Sequence, residues 1–272
     1  MLNTLLIQYE GLIRIGFFFG ILGMMAIWEL LTPRRILKIS KGARWYTNLG
    51  LVFISTLTLR LLLPVQAVGV SLFAENHGWG LLNHAALPCW MTIVIGVVGL
   101  DFVIYIQHVI FHTIPAFWNL HKVHHTDLDF DVTTGIRFHP IEILLSMGIK
   151  MATIIFLGIP ATAVIIFEII LNGASMFNHG NVRFPAQIDR FARLLVVTPE
   201  MHRVHHSVVI KEFNSNFGFS LPWWDRLLGT YRDQPEKGHE GMVIGLGQFR
   251  DPKTLTLLRL LILPFIRKFL LR

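Results

Sequence analysis

Three short stretches concentrate the histidines of this chain: "HVIFH" from His108, "HKVHH" from His121 and "HRVHH" from His202. On a helix, residues i, i+3 and i+4 share a face. His108 with His112, His121 with His124 and His125, and His202 with His205 and His206 therefore each present a stripe of imidazoles. Neutral imidazole binds Zn, Cu, Ni and Fe, and eight such nitrogens exceed the roughly four to six positions of one ion, so two metals is the economical content. A histidine-rich transport or storage patch is the bland alternative. Such patches are low-complexity runs, whereas these words are spaced and helical.

The words need helices to carry them, and local signals supply starts. Thr198 suits an N-cap and Pro199 the first helical position, which puts His202 in the first turn; Pro115 opens "AFWNLHKVHH" in a comparable way. The chain around them has 272 residues, is 53% hydrophobic and only 15% charged. With several apolar runs of spanning length it reads as an integral membrane protein. Lys and Arg outnumber Asp and Glu by 24 to 17, but the charges lie between apolar runs, not along an aromatic-studded groove. An anionic lipid surface is the expected partner and nucleic acid is not. The one cysteine, Cys89, cannot form an internal disulfide, and the N-terminus lacks the basic start and small-residue cleavage site of a signal peptide.

The first apolar run, Leu5 to Leu31, reads as a span, and the acid-free stretch with Arg34, Arg35, Lys38, Lys41 and Arg44 that follows is placed in the cytoplasm, with the N-terminus outside. A second span is expected from about Leu49 to Phe73, interrupted by Pro64, and an external loop "AENHGWGLLNHA" without Lys or Arg. The third, Ala85 to Gln107, delivers His108 and His112 at its inner end. The block from Ile141 to Asn172 is predicted to be a hairpin of two short helices hinged at "GIP", because a single crossing would strand the last histidine word on the far side. The region from Gly173 onward reads as cytoplasmic, and the tail "TLTLLRLLILPFIRKFLLR", broken by Pro264, as a helix lying along the inner surface. The expected architecture is an all-α integral membrane protein: about three transmembrane helices, a short helical hairpin, and a cytoplasmic helical cap holding a histidine-rich dimetal site. It forms one domain over 1–272, with an anchor at 1–94, a core at 95–232 and a tail at 233–272. A GxxxG spacing at Gly16 and Gly20 leaves the oligomeric state open.

Asp101 lies inside the third span, where an ionisable group is expensive; it is a candidate to orient a ligand imidazole through its distal N–H, or else to pair within the bundle. His77, His84 and His239 are expected to be solvated, and the aromatics near the words define no substrate pocket.

The order Asp101, Tyr105, "HVIFH", Trp118, "HKVHH", "RFHPIE", "FNHGN", "TPEMHRVHHS", "WWDRLLGT" resembles the fatty acid hydroxylase/sterol desaturase superfamily of membrane di-iron oxygenases, over about residues 95 to 232. The resemblance implies that His108, His112, His121, His124, His125, His202, His205 and His206 bind the metal pair. It adds His179 as a further ligand, although Ser175 stands where some members carry another histidine. His139 also matches a family pattern, with Pro140 beside it favouring a role at a helix start or behind a ligand.

The implied activity is O2-dependent hydroxylation, or desaturation, of a C–H bond in a fatty acyl or sterol-like lipid by two iron ions, for which zinc can substitute in purified protein. The sequence shows no dinucleotide, iron–sulfur or haem signature, so a separate ferredoxin, cytochrome or reductase is implied as electron donor, with a pterin, which some members use, left open. A membrane zinc hydrolase is the enzymatic alternative, but no HExxH word occurs and Glu200 merely precedes the last histidine word. A metal transport or binding protein is the other; apart from Arg60, Asp101, Lys150 and Glu168, the spans are too apolar for an obvious ion path.

Overall fold

Prolines and glycines cut the apolar sequence into fourteen α-helices in the computed structural model, which describes residues 2–266 and contains no β-strand among them. In chain order these are α1 (Leu2–Gln8), α2 (Glu10–Leu31), α3 (Lys41–Leu62), α4 (Ala67–Asn76), α5 (Cys89–Thr113), α6 (Pro115–His125), α7 (Pro140–Leu157), α8 (Ala161–Asn178), α9 (Ala186–Ala192), α10 (Pro199–His205), α11 (Ile210–Phe213), α12 (Trp223–Leu227), α13 (Gly238–Gly241) and α14 (Leu257–Ile262). Five helical stretches among the described residues are long and apolar enough to cross a membrane: α2, Lys41–His84, α5, α7 and α8.

The hairpin returns as predicted. Its two arms have 18 residues each and turn at Gly158, whose φ of 68° is a left-handed conformation that a side chain would strain. Glu142 at the start of α7 touches His121, and His179 at the end of α8 touches His124, so both arms meet the histidine words at one end. At the other end Ser71 of α4 donates to the Ile159 carbonyl at the hairpin tip (2.6 Å), which places α4 and its loop away from the histidines. α2 and α5 pack on α8, and α3 on α7. Inside this bundle Glu168 takes Lys150 at 2.6 Å and Arg14 at 3.0 Å, so these three charges satisfy one another.

Two spans differ from the expected limits. The second begins earlier, at Lys41, because Ser40 caps the helix and Arg44 is drawn inward by Asp127 and Asp131; it ends at Leu62, since Pro64 has no N–H to continue it, and α4 follows separately. α5 starts after Pro88 and runs to Thr113, carrying both His108 and His112 within the helix.

The basic stretch between α2 and α3 does not spread its charge over a lipid surface. Arg34 pairs with Glu200 and Glu240, Arg35 donates to the carbonyls of His239 and Met242, Lys41 pairs with Glu29, and Arg44 with Asp127 and Asp131. Lys38 alone of the five is exposed. In the tail, Leu260 and Leu263 bury against Leu51, Trp118, Val123 and Phe213, while Leu258 and Phe265 remain exposed. The remainder of the anticipated surface helix, 267–272, lies outside the described residues.

Candidate metal centre

Each histidine owes its position to a nearby helix end. Pro115 occupies the first turn of α6, so the chain breaks after Thr113 and folds the stripe of His121, His124 and His125 back towards His108 and His112. Thr198 caps α10 by accepting from the Met201 amide, Pro199 takes the first position, and His206 closes the helix. His179 caps the C-terminus of α8. Gly135 allows the loop before α7 to press on this end, since a Cβ there would lie 2.2 Å from the Ser175 carbonyl.

Nine imidazoles result, in two groups. His108, His112, His121, His125 and His205 form one; His124, His179, His202 and His206 form the other; within each, the ligand nitrogens lie within 4.8 Å of one another. All the predicted ligands are thereby brought together, His179 included.

The backbone settles the tautomers. A carbonyl can only accept, so a ring whose Nδ1 faces one must carry its proton there and present a bare lone pair at Nε2. His108 donates in this way to the Phe217 carbonyl (2.7 Å), His205 to Ser215 (2.8 Å), His179 to Ser175 (2.7 Å) and His124 to Arg137 (3.3 Å). Yet the Nε2 atoms of His108 and His205 stand 3.1 Å apart, as do those of His179 and His124. Lone pairs facing at that distance with no proton between them repel, and a cation removes the repulsion.

The donor set fits a borderline transition metal, being all nitrogen and without the oxygens that Mg or Ca would need. The 3.1 Å between these Nε2 atoms is short enough for each pair to share one ion.

Burial keeps the rings neutral. It pulls His121 and His179 down to about 3, and holds His124, His125, His202, His205 and His206 well below the usual histidine range. Aromatic rings line the group: Phe138 stacks on His124 at 4.5 Å, and Phe213 and Phe217 pack on His112.

Behind the ligands stands a polar frame that the sequence did not single out. Glu142 accepts from His121 Nδ1 at 2.6 Å; its signal was an acid two residues after Pro140 in "HPIE", at the start of a mostly apolar helix. Arg44 grips both oxygens of Asp127 (2.7 and 2.8 Å) and reaches Asp131. Burial opposes ionisation of Asp127, but the Arg44 guanidinium holds its carboxyl well below the usual range. Arg137 donates to the Val123 carbonyl and to Thr126, closing the end of α6. Asp225 accepts from the amides of Phe217 and Gly218 (both 2.8 Å) and so fixes the carbonyl that orients His108. The alternating acids of "TDLDFD" and the Asp of "WWDRLLGT" were the available signals.

Asp101 and His239 fall differently from expectation, whereas His139 takes the helix-start place that Pro140 favoured. Asp101 accepts from Trp224 Nε1 (2.8 Å) and the Leu221 amide (3.3 Å), bracing the segment beside the site instead of an imidazole. His139 caps α7 by accepting from the Ile141 amide and donates to the Leu261 carbonyl, so it ties the tail to a helix start. His239 is buried against Glu200, not solvated, because Glu200 gathers Arg34, Arg203 and His239 about one carboxylate.

The chain is similar to known sequences over the stretch that carries these histidines. The sequence model of the fatty acid hydroxylase family matches residues 93–230. An ornithine lipid hydroxylase of Rhizobium tropici is 31% identical over 54% of this chain and 44% of its own length. An alkylglycerol monooxygenase of Xenopus tropicalis is 26% identical over 77% of this chain and 46% of its own, and human cholesterol 25-hydroxylase is 27% identical over 56% and 53%. The chain thus spans about half the length of these relatives. No solved structure matches it significantly. The matched region contains all nine clustered histidines, and the chain belongs to the fatty acid hydroxylase family.

Proposed function

We propose that this protein is a membrane-bound di-iron oxygenase that hydroxylates a C–H bond of a fatty acyl or sterol-like lipid. The observation that carries the proposal is the pair of imidazole groups whose Nε2 lone pairs converge at 3.1 Å. Two iron ions held there would supply the redox chemistry with O2 that an unactivated C–H bond requires and that zinc lacks. The protein's own part is to hold nine neutral imidazoles, fix their protons on the Nδ1 side, and wall the site with phenylalanines that exclude water. Hydroxylation consumes O2, two electrons and two protons, placing one oxygen in the C–OH group and the other in water. The electrons come from a separate ferredoxin, cytochrome or reductase. The relatives' names favour hydroxylation over desaturation of the same lipid class.

The alternatives lose support at specific residues. A zinc hydrolase needs a free carboxylate base, but Glu200 is engaged by Arg34, Arg203 and His239, and Glu142 by His121. An ion path needs unmatched polar groups along the spans, but Lys150, Glu168 and Arg14 form one ion-paired set. The site is assigned to the cytoplasmic side, supported by the basic stretch at its own end of the bundle.

Purified protein should carry about two metal ions per chain, and lipid extracts of cells expressing it should contain an oxygenated product, by mass spectrometry. His124→Ala and His205→Ala each remove a ligand from a different group, so both should fall to background product with reduced metal, while His84→Ala behaves as the parent. Full activity in a zinc-only preparation, or a metal-retaining, active His205→Ala protein, would sink the proposal.

A further inference from the structure

Two short segments at the histidine end of the molecule are built inside out. In α9 and the residues after it, Asp189 and Arg193 turn inward and pair with each other, and Asp189 also accepts from Thr198. Phe191, 71% exposed, and Leu195, 64% exposed, face outward. α12 repeats the arrangement: Asp225 is wholly buried on the Phe217 and Gly218 amides, while Leu227 is 74% exposed. The segments are joined, since Trp223 Nε1 donates to the Leu194 carbonyl at 2.8 Å and Arg226 to that of Arg193 at 3.3 Å. A helix bathed in water hides its apolar side and shows its charges; the reverse pattern belongs to a surface that meets hydrocarbon.

The patch also continues a surface already assigned to lipid. Trp224 packs on Phe102, ring centroids 4.8 Å apart, on the exposed side of α5. Phe102 stands six residues from His108 towards the middle of that span, about 9 Å along the helix axis. Arg183 and Arg190 are exposed in the α9 region, where lipid phosphates would meet them.

We propose that α9, the 193–196 turn and α12 form an in-plane shelf seated in the near leaflet of the bilayer that the chain crosses. Acyl chains lie against Phe191, Leu195 and Leu227, with headgroup phosphates at Arg183 and Arg190. The region after Gly173, which its composition marks as aqueous, is therefore in part a second membrane contact. The shelf stands independently of the oxygenase proposal, and its test needs no activity.

Cys89 is the one cysteine, so Cys89→Ser provides a background for single nitroxide labels. Labels at Leu195→Cys and Leu227→Cys are compared with Phe19→Cys, on the outward face of α2, and Glu236→Cys, in an exposed loop. The protein is reconstituted in nanodiscs of phosphatidylcholine and phosphatidylglycerol, and power saturation is recorded with oxygen and with a water-soluble nickel chelate. The oxygen-to-nickel accessibility ratio at 195 and 227 should exceed that at 236 several-fold and approach that at 19. A ratio equal to that at 236 overturns the shelf in favour of a water-facing surface. Low access to both reagents overturns it in favour of a protein partner such as a second copy. Should Leu195→Cys fail to fold, Ile188→Cys reports on the same face of α9.

Discussion

An imidazole can serve a metal only from a nitrogen without a proton, and here peptide carbonyls decide which nitrogen that is. Phe217, Ser215, Ser175 and Arg137 each take an Nδ1 proton, and Glu142 does the same for His121. Glu142→Gln keeps the shape but weakens the acceptor, so it should lower metal affinity by about 10- to 100-fold with the fold intact, measured by chelator competition. An unchanged affinity would reduce Glu142 to packing. The neutral rings also set an acid response. In metal-depleted protein, His121 and His179 titrate at about 3, far below the ordinary histidine value of about 6.5. Below about pH 6.5 the unfolded chain therefore binds more protons than the folded one. Each such ring removes up to about 1.4 kcal/mol of stability per pH unit as the pH falls towards 3. Thermal unfolding of chelator-treated protein should shift well downward between pH 7.5 and 5.5; a constant midpoint would mean that the rings are exposed or already charged.

At the level of elements, the site depends on a helix that contributes no ligand. Arg44, in the first turn of α3, holds Asp127 and Asp131 directly after the second histidine word. Arg44→Met leaves two buried carboxylates without their cation and should cost about 3–5 kcal/mol of stability, read from thermal or denaturant unfolding in detergent. A loss below about 1 kcal/mol would show that water reaches the pair. This helix also marks how far the sequence could be read. Thr198, Pro199, Pro115 and the "GIP" hinge act through their own backbone, so the starts of α10 and α6 and the returning hairpin were legible. So was the convergence of the eight histidines of the three words, whose spacing is itself a helical pattern. The start of α3 and the burial of His239 were not, because acids far along the chain, Asp127 and Glu200, determine them. A basic stretch looks the same in sequence whether its charges meet phosphate or a distant carboxylate.

For the whole molecule, the bundle has a histidine end, where Arg44 meets Asp127, and a far end, where α4 meets the hairpin tip. With the histidine end in the cytoplasm, a cysteine introduced at Asn76 in the Cys89→Ser background should react with an impermeant maleimide added outside intact cells. One at Ser40 should stay protected until the membrane is permeabilised. The opposite labelling pattern would turn the molecule over.

The division of ligands between the two groups also carries an order in time. Four of the five nitrogens of the first group, those of His108, His112, His121 and His125, are already in the chain once the second word is made, whereas the second group then has only His124. Roughly eighty residues, including a hairpin that must enter the bilayer and come back, separate this moment from the arrival of His205 and His206. At about 5–20 residues per second that interval is on the order of ten seconds. Of the two proposed metal positions, the first therefore has most of its donors before the hairpin is made, and the second gains all but one of its donors only as the hairpin returns.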